Sequence, residues 1–156
     1  MSIPQVLAHA VFQIPDFVTL AFCDQLIQKA AEIGYHTATL NTDETSRPDI
    51  RNNDRVIFDD PALAHLLWRR IQPYFSTPFK GENAVCLNER FRLYRYTPGQ
   101  FFDWHQDGAY HATETRVSRF TMMIYLNDAC EGGGTSFADV FSPHVFKDFT
   151  TCKSNL

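Results

Sequence analysis

The sequence predicts an α+β fold in which helices precede a set of antiparallel strands. Apolar residues recur at helical spacing in two segments of the first half of the chain. From about Asn88 onward the period changes to the alternation that is typical of strands. Rings are abundant as well, with 14 Phe, 6 Tyr and 2 Trp among 156 residues, which predicts an interior built around aromatic side chains. Helices first and strands afterwards is the order expected of an α+β domain.

The first helix is predicted over residues 19–34. Thr19 is suited to cap its start, and Gly34 is suited to end it. The apolar positions that recur at helical spacing between them are Leu20, Cys23, Ile27, Ala30 and Ala31.

The second helix is predicted to follow Asp60, which can cap it. Pro61 suits the first helical position, and Pro73 ends the pattern. Between the two helices, residues 41–55 are polar and rich in turn formers, so we expect a surface loop there.

Four extended segments are predicted after residue 88, separated by turns and by the glycines at 132–134. They are residues 91–96, 101–107, 117–127 and a strand that begins at 135–137. Of these, residues 117–127 have the composition of a buried strand.

Charge and cysteine content narrow the class of protein. The net charge is -4 and no basic stripe occurs, so no nucleic-acid partner is expected. No segment approaches ~20 apolar residues, and the N-terminus lacks the pattern of a signal peptide, so no membrane association is expected. The cysteines are scattered without a CxxC pair, which favours reduced thiols and a cytoplasmic location. They are Cys23, Cys86, Cys130 and Cys152.

One short motif points to metal chemistry. On an extended segment, residues i and i+2 project to the same side, so His105 and Asp107 are expected to lie next to each other. An imidazole nitrogen and a carboxylate oxygen can occupy two positions on Fe(II), and a distant His would complete a two-His-one-carboxylate site. Two surface residues give the same short pattern, so the pair alone remains a hypothesis.

The residues around this pair carry a resemblance to a known family. The block YRYTPGQFFDWHQDGAYHATETRVSRFTMMIYLNDACEGGGTSF, residues 94–137, contains four linked motifs: a Tyr before a Gly turn, the His-x-Asp pair, Tyr-Leu-Asn, and a Gly-Gly step into Thr-x-Phe. In this order and spacing they resemble the catalytic core of prolyl-4-hydroxylase-like Fe(II)/2-oxoglutarate dioxygenases. The resemblance covers roughly residues 14–138.

The resemblance implies a fold and a division of the chain. The fold is a double-stranded β-helix (jelly roll) with N-terminal helices, incomplete at its C-terminal end. Residues 1–156 form a single domain with three parts. These are helical support at about 14–80, jelly-roll strands at about 88–141 and a divergent tail at 142–156.

The resemblance also implies roles for particular residues. His105 and Asp107 match the first two iron ligands, and Tyr96 and Tyr125 match tyrosines of the 2-oxoglutarate pocket. Core packing is the alternative for both tyrosines.

Strand alternation adds further candidates. It places Tyr94 and Arg92 on the face of Tyr96, where both could hydrogen-bond a substrate or the cosubstrate, while a salt bridge is the alternative for Arg92. By the same rule, Thr121 shares a face with Tyr125. Trp104 points away from the metal pair and is expected to fill the core.

The end of the sequence is the part that departs from the family pattern. Only 22 residues follow Gly134, and they contain no Arg and no clear counterpart of the distal His. His144, on a short strand allowed by its neighbours, is the candidate third ligand, with a surface His near a turn as the alternative. Lys147 is a further candidate for the missing cation.

The predicted function is an Fe(II)- and 2-oxoglutarate-dependent dioxygenase that hydroxylates a C–H bond, of a prolyl or other protein residue. O2 and an unidentified protein or small-molecule substrate are its expected partners, and a requirement for ascorbate stays open. One alternative is an inactive truncated isoform or binding module that lacks the distal His and Arg. Another is a cupin-like metal protein, which would need more His or Glu ligands near residues 99–107.

Overall fold

The structure is a computed structural model, and it describes residues 3–8, 11–39, 47–128, 131–139 and 142–149. Its elements are those of a small α+β fold, but their order is not the predicted one, because two strands precede the first helix and two more precede the second. The elements are β1 (Gln5–Ala8), β2 (Val11–Gln13), α1 (Leu20–Ile33), β3 (His36–Thr37), β4 (Asp54–Asp59), α2 (Pro61–Ile71), a short 3-10 helix (Gln72–Phe75), β5 (Arg90–Arg95), β6 (Thr135–Asp139) and β7 (Ser142–Phe149).

The described strands form three small sheets, all of them antiparallel. β1 pairs with β2, β3 with β4 and β4 with β5, and β6 with β7. This α+β arrangement is compatible with the fold of 2-oxoglutarate oxygenases, but the predicted jelly roll is not confirmed.

Helix α1 begins and ends where the sequence predicts. The backbone N–H of Phe22 donates to Thr19 Oγ1 at 3.2 Å, so Thr19 satisfies a donor that the first turn leaves open. Gly34 follows the helix with φ +95°, a left-handed conformation that glycine adopts without steric cost. Cys23 and Ala30 are buried, whereas Leu20 at the helix start is 81% exposed.

Helix α2 also confirms its predicted signals. Asp60 Oδ1 accepts from the backbone N–H of Leu63 at 2.9 Å, and Pro61 is the first helical residue. The helix ends at Ile71, and Pro73 lies in the 3-10 helix that follows. Its buried face consists of Ala64, Leu67 and Ile71.

Strand β4 is an element that the sequence analysis missed, since its first two residues were assigned to the surface loop. It pairs along its whole length with β5, and the paired residues Val56 and Leu93 are both buried. On the same face, the rings of Phe58 and Phe91 stack with centroids 5.7 Å apart. The opposite face carries the pairs Arg55–Tyr94, Ile57–Arg92 and Asp59–Arg90.

Residues 101–107 do not form the predicted strand. The segment makes a single bridge, between Phe102 and Arg51, with Asp103 N–H donating to the Ile50 carbonyl at 2.8 Å. Beyond it, the N–H of Trp104 donates to the Asp103 side chain at 2.8 Å. A local side-chain bond of this kind competes with ladder bonds and ends the extended run.

Residues 117–127 do not form the predicted strand either: within the part of the chain that the structure describes, the segment makes a single bridge, between Val117 and His111. The predicted alternation is nevertheless present, because Met122, Ile124 and Leu126 are less exposed than the residues between them. Periodicity reports which side chains face inward, but a strand needs a partner for its backbone groups.

The chain divides into two compact units. The first comprises Met1–Glu32 and Met123–Leu156 and contains β1, β2, β6 and β7; the second is Ile33–Met122 and contains β3 to β5 and α2. The buried hydrophobic residues that the structure describes are small or aliphatic, so the predicted aromatic interior is wrong for them. They are Cys23, Ala30, Ala38, Val56, Ala64, Leu67, Ile71 and Leu93.

The helices of the described segments are all too short or too polar to reach across a lipid bilayer.

Candidate metal centre

His105 and Asp107 lie side by side, although their segment is not a strand. His105 Nε2 is 3.4 Å from Asp107 Oδ1. The two side chains are 39% and 55% exposed, so an ion from solvent can reach both. An irregular backbone thus brings together the two groups that strand geometry predicted to be neighbours.

The imidazole of His105 is oriented by its other nitrogen. Nδ1 lies 2.8 Å from the carbonyl oxygen of Asp103, and because a carbonyl can only accept, Nδ1 carries the hydrogen. In its neutral form the ring presents the lone pair of Nε2 on the side of Asp107. The ring of Phe102 stacks on the imidazole with centroids 3.6 Å apart and an interplanar angle of 15°. A hydrogen bond and a stacked ring therefore both restrict the rotation of His105.

The carboxylate of Asp107 is held by one of its two oxygens. Thr121 Oγ1 donates to Asp107 Oδ2 at 2.6 Å, which leaves Oδ1 as the oxygen nearest to His105. The sequence placed Thr121 on the face of Tyr125 but gave no sign of this bond. Only the return of the chain after the loop at 108–115 brings the hydroxyl to the carboxylate.

The backbone before His105 is fixed by residues 50–53, another feature that the sequence did not reveal. The N–H of Asn52 donates to the Phe101 carbonyl at 3.2 Å, and Asn52 Oδ1 accepts from the N–H of Phe101 at 2.7 Å. The guanidinium carbon of Arg51 lies 4.1 Å from the centroid of the Phe102 ring. Arg51, Phe102 and His105 therefore form a continuous stack.

The donor set fits two positions of a divalent metal ion. Adjacent ligand atoms ~2.1 Å from one octahedral ion lie about 3.0 Å apart, which is close to the observed 3.4 Å. A neutral imidazole nitrogen and a carboxylate oxygen are two of the three ligands in non-haem Fe(II) oxygenases. Among the described residues, no group of three or more His, Cys, Asp or Glu side chains is placed to hold a metal.

The candidate third ligand, His144, belongs to the other compact unit. It lies in β7, so the short strand expected around it is present. Its side chain and that of Lys147 fall outside the described side chains, and the roles of both stay predictions.

The cosubstrate candidates of the second unit lie on or next to β5. Tyr94 and Arg92 share the sheet face opposite the buried Leu93, as strand alternation predicts. Tyr96 follows the strand and is partly exposed. Trp104 is 58% exposed, so the prediction that it fills the core is wrong.

Tyr125 lies in the first unit, and its hydroxyl has a protein partner. The hydroxyl is 2.5 Å from Thr135 Oγ1, at the first residue of β6. Its predicted contact with 2-oxoglutarate stays a prediction.

A cleft of about 260 Å³ adjoins the metal pair within the second unit. Its residues come from the Asp107 segment and from the chain that returns past it: Asp107, Gly108, Ala109, Ser118, Arg119, Phe120 and Thr121. Arg119 is held there by two bonds to Glu82, at 2.6 and 2.7 Å. The Arg119 guanidinium in turn keeps the pKa of the Glu82 carboxyl below its usual value.

Comparison with protein families agrees with the chemistry of the His105–Asp107 pair. The model of the 2OG-Fe(II) oxygenase superfamily matches residues 91–153. The match supports this superfamily. It includes His105, Asp107 and His144, and it runs beyond residue 138, where the motif resemblance ends. No curated protein and no solved structure gives a significant match to the chain.

The superfamily match supports a dioxygenase-type oxidoreductase. Its members' chemistry implies Fe(II) and 2-oxoglutarate, together with O2 and a substrate. Neither the prolyl-4-hydroxylase subtype nor the substrate follows from the match.

Proposed function

We propose that this protein is an Fe(II)- and 2-oxoglutarate-dependent dioxygenase that hydroxylates a C–H bond, with a prolyl or other protein side chain as its substrate. The observation that carries the proposal is the 3.4 Å approach of His105 Nε2 to Asp107 Oδ1. The atoms on the far side of both groups are engaged by hydrogen bonds, which leaves these two as the metal-binding atoms. The superfamily match over the same residues supports this reading.

His105 and Asp107 would hold the iron through a neutral nitrogen and a negatively charged oxygen. When bound, Fe(II) with 2-oxoglutarate and O2 supplies the oxidising power for hydroxylation, and succinate and CO2 are released. The task of this chain is to orient the ligands and to exclude wrong geometries. Thr121 does so for Asp107, while Phe102 and the Asp103 carbonyl do so for His105.

The cleft beside Asp107 is the proposed place for a small organic acid. It opens next to the carboxylate and is lined by both polar and apolar groups. Tyr96, Tyr94, Arg92 and Tyr125 remain the candidates for cosubstrate contacts by their family positions.

Turnover of 2-oxoglutarate to succinate, with Fe(II) and O2 supplied, tests the proposal without knowledge of the substrate. We expect succinate formation that depends on both and that His105→Ala abolishes. His111→Ala is the matched control, because His111 lies in the exposed loop at 108–115 and should retain turnover. Equal succinate formation by His105→Ala and the unchanged protein would contradict the proposal.

The same assay addresses the remaining assignments. Loss of turnover in His144→Ala supports His144 as the third ligand, and retention removes it from the site. Ascorbate is proposed as a supporting reductant, so its omission should lower the turnover number.

We also propose a cytoplasmic location, in keeping with the free thiols of Cys23 and Cys86.

A further inference from the structure

Three arginines gather around Tyr94 on one face of the β4–β5 pair. Arg55 lies directly across from Tyr94 in the strand register, and Arg92 precedes Tyr94 by two residues on the same face. Arg51 approaches from the segment before β4, with its guanidinium carbon 4.4 Å from the centroid of the Tyr94 ring. We call Arg51, Arg55 and Arg92 the arginine cluster.

Arg51 is the buried member of this cluster. It is 4% exposed, and its Nε donates to Asn53 Oδ1 at 2.7 Å. Its Nη2 is buried and has no hydrogen-bond partner among the residues that the structure describes. A buried donor on a charged group that lacks an acceptor is costly, and native structures rarely retain one without a reason.

Two other positive charges lie close to Arg55, the second member of the arginine cluster. Burial, and next to it the charge of Arg51, lowers the pKa of the Arg55 guanidinium from its ordinary value, and Arg92 acts in the same direction. The guanidinium of Arg55 donates to the backbone carbonyl and hydroxyl of Thr39, at 3.3 and 3.2 Å, and neither acceptor neutralises its charge. The cluster thus concentrates positive charge on a partly open face.

The other two arginines of β5 differ from the arginine cluster because each of them is paired with a carboxylate. Arg90 makes two bonds to Asp59, at 2.8 and 2.9 Å, and Arg95 bonds Asp54 at 2.8 Å. Within the part of the chain that the structure describes, no carboxylate forms an ion pair with a member of the arginine cluster. Among the described residues, Arg90 and Arg95 of β5 thus have carboxylate partners and Arg92 forms no ion pair.

We propose that the arginine cluster is a binding site for a carboxylate group of a small-molecule ligand. Planar guanidinium groups match a carboxylate through paired N–H···O bonds, which is why arginine is favoured where carboxylates are recognised. Arg92 is exposed and Arg55 half-buried, so both are accessible from solvent, while Arg51 adds a buried positive charge beside them. The Tyr94 ring provides a flat wall against which the ligand can lie.

Side-chain contacts connect the arginine cluster to His105 of the metal pair. The Arg51 guanidinium lies between the rings of Tyr94 and Phe102, within 4.4 and 4.1 Å of their centroids, and Phe102 stacks on His105. The site does not require a bound metal, however, so its test is independent of the proposed catalytic activity.

Calorimetric titration of the metal-free protein with succinate tests the site. We expect saturable binding that weakens as salt is added, because charge attraction drives it. Arg92→Gln and Arg55→Gln should each weaken binding about tenfold, the usual effect of losing a hydrogen bond to a charged partner. Arg90→Gln is the matched control, since Arg90 lies on the same strand and is already paired with Asp59.

A repeat titration with 2-oxoglutarate distinguishes the source of the carboxylate. Tighter binding of 2-oxoglutarate by about tenfold or more assigns the site to the cosubstrate, and equal binding assigns it to a carboxylate of the substrate. Circular dichroism checks that each variant is folded. The proposal is overturned if folded wild-type protein shows no saturable binding, or if Arg90→Gln weakens binding as much as Arg92→Gln. Inorganic phosphate that binds as tightly as succinate also overturns the assignment to carboxylates.

Discussion

Each of the two candidate ligands is held by a hydrogen bond at the atom that faces away from the proposed metal position. In Asp107 the held atom is Oδ2, which accepts from Thr121, and in His105 it is Nδ1, which donates to the Asp103 carbonyl. Such outer bonds fix the orientation of metal ligands and tune their basicity. At the scale of the residue, the site is therefore organised before an ion arrives.

Thr121→Val removes the outer bond while preserving the shape of the side chain. Without this bond the Asp107 carboxylate rotates more freely and is no longer held in the orientation that faces the metal position. We therefore expect the affinity for Mn(II), used as a substitute for Fe(II), to fall about tenfold. Titration followed by electron paramagnetic resonance measures it. Thr121→Ser keeps the hydroxyl and should bind Mn(II) as the unchanged protein does. Equal affinities for all three proteins would show that the Thr121 bond has no role in metal binding.

Residue-level prediction from the sequence succeeded where the signal is local. His105 and Asp107 are two positions apart, and the proximity predicted from extended geometry is observed although the segment is not a strand. Arg51 and Thr121 reach the site only through the fold, from 54 and 16 residues away from His105 in the sequence. No periodicity in a single sequence records such contacts.

At the scale of the element, the capping signals in the sequence correctly predicted where the helices begin and end. α2 has its N-cap bond from Asp60, a proline in the first helical position and a buried stripe of three residues. These signals act within a few residues and need no partner from elsewhere in the chain. Strand β4 and the segments at 101–107 and 117–127 were assigned wrongly because strand formation depends on a partner that a local pattern does not contain.

Asp60→Ala tests the contribution of the cap. The N–H of Leu63 loses its acceptor at the helix start, and we expect the free energy of unfolding to fall by about 1 kcal/mol. Urea denaturation followed by circular dichroism measures the change. Asp60→Asn retains a side-chain oxygen and should lie close to the unchanged protein. A loss as large in Asp60→Asn as in Asp60→Ala would assign the effect to the charge instead of the cap.

At the scale of the whole molecule, charge pairs link distant parts of the second unit. Arg119 pairs with Glu82 across 37 residues of sequence, and Arg90 pairs with Asp59 across 31. The bond from Arg119 keeps the pKa of Glu82 below its usual value, and the bond from Arg90 does the same for Asp59. Both pairs are about half exposed, so each contributes little alone and less at high salt.

The lowered carboxyl pKa values predict how stability depends on pH. A carboxyl whose pKa is lower in the folded protein stabilises it above the unfolded pKa, and this stabilisation is lost as pH falls through the folded pKa. We therefore expect the melting temperature to decrease from about pH 6 to about pH 3.

Glu82→Gln tests the contribution of one such pair, since the variant should show a shallower decrease in low salt. Glu114→Gln is the control, because Glu114 lies in the exposed loop and forms no ion pair among the described residues. A steeper decrease in Glu82→Gln than in Glu114→Gln would contradict the prediction.

The α+β class was predictable from the presence of both helical and alternating segments, although not their order, and the oxygenase superfamily from four linked motifs whose region the superfamily model also matches. The closure of strands into larger sheets was not predictable, because it depends on pairing across the chain. The proposed binding of one divalent metal ion by His105 and Asp107 is local by comparison.

Titration of the metal-free protein with Mn(II), followed by electron paramagnetic resonance, tests that claim most directly. We expect one saturable site that His105→Ala removes and that His111→Ala leaves intact. Mn(II) binding by His105→Ala with unchanged affinity would contradict it, because the metal would then be held elsewhere in the chain.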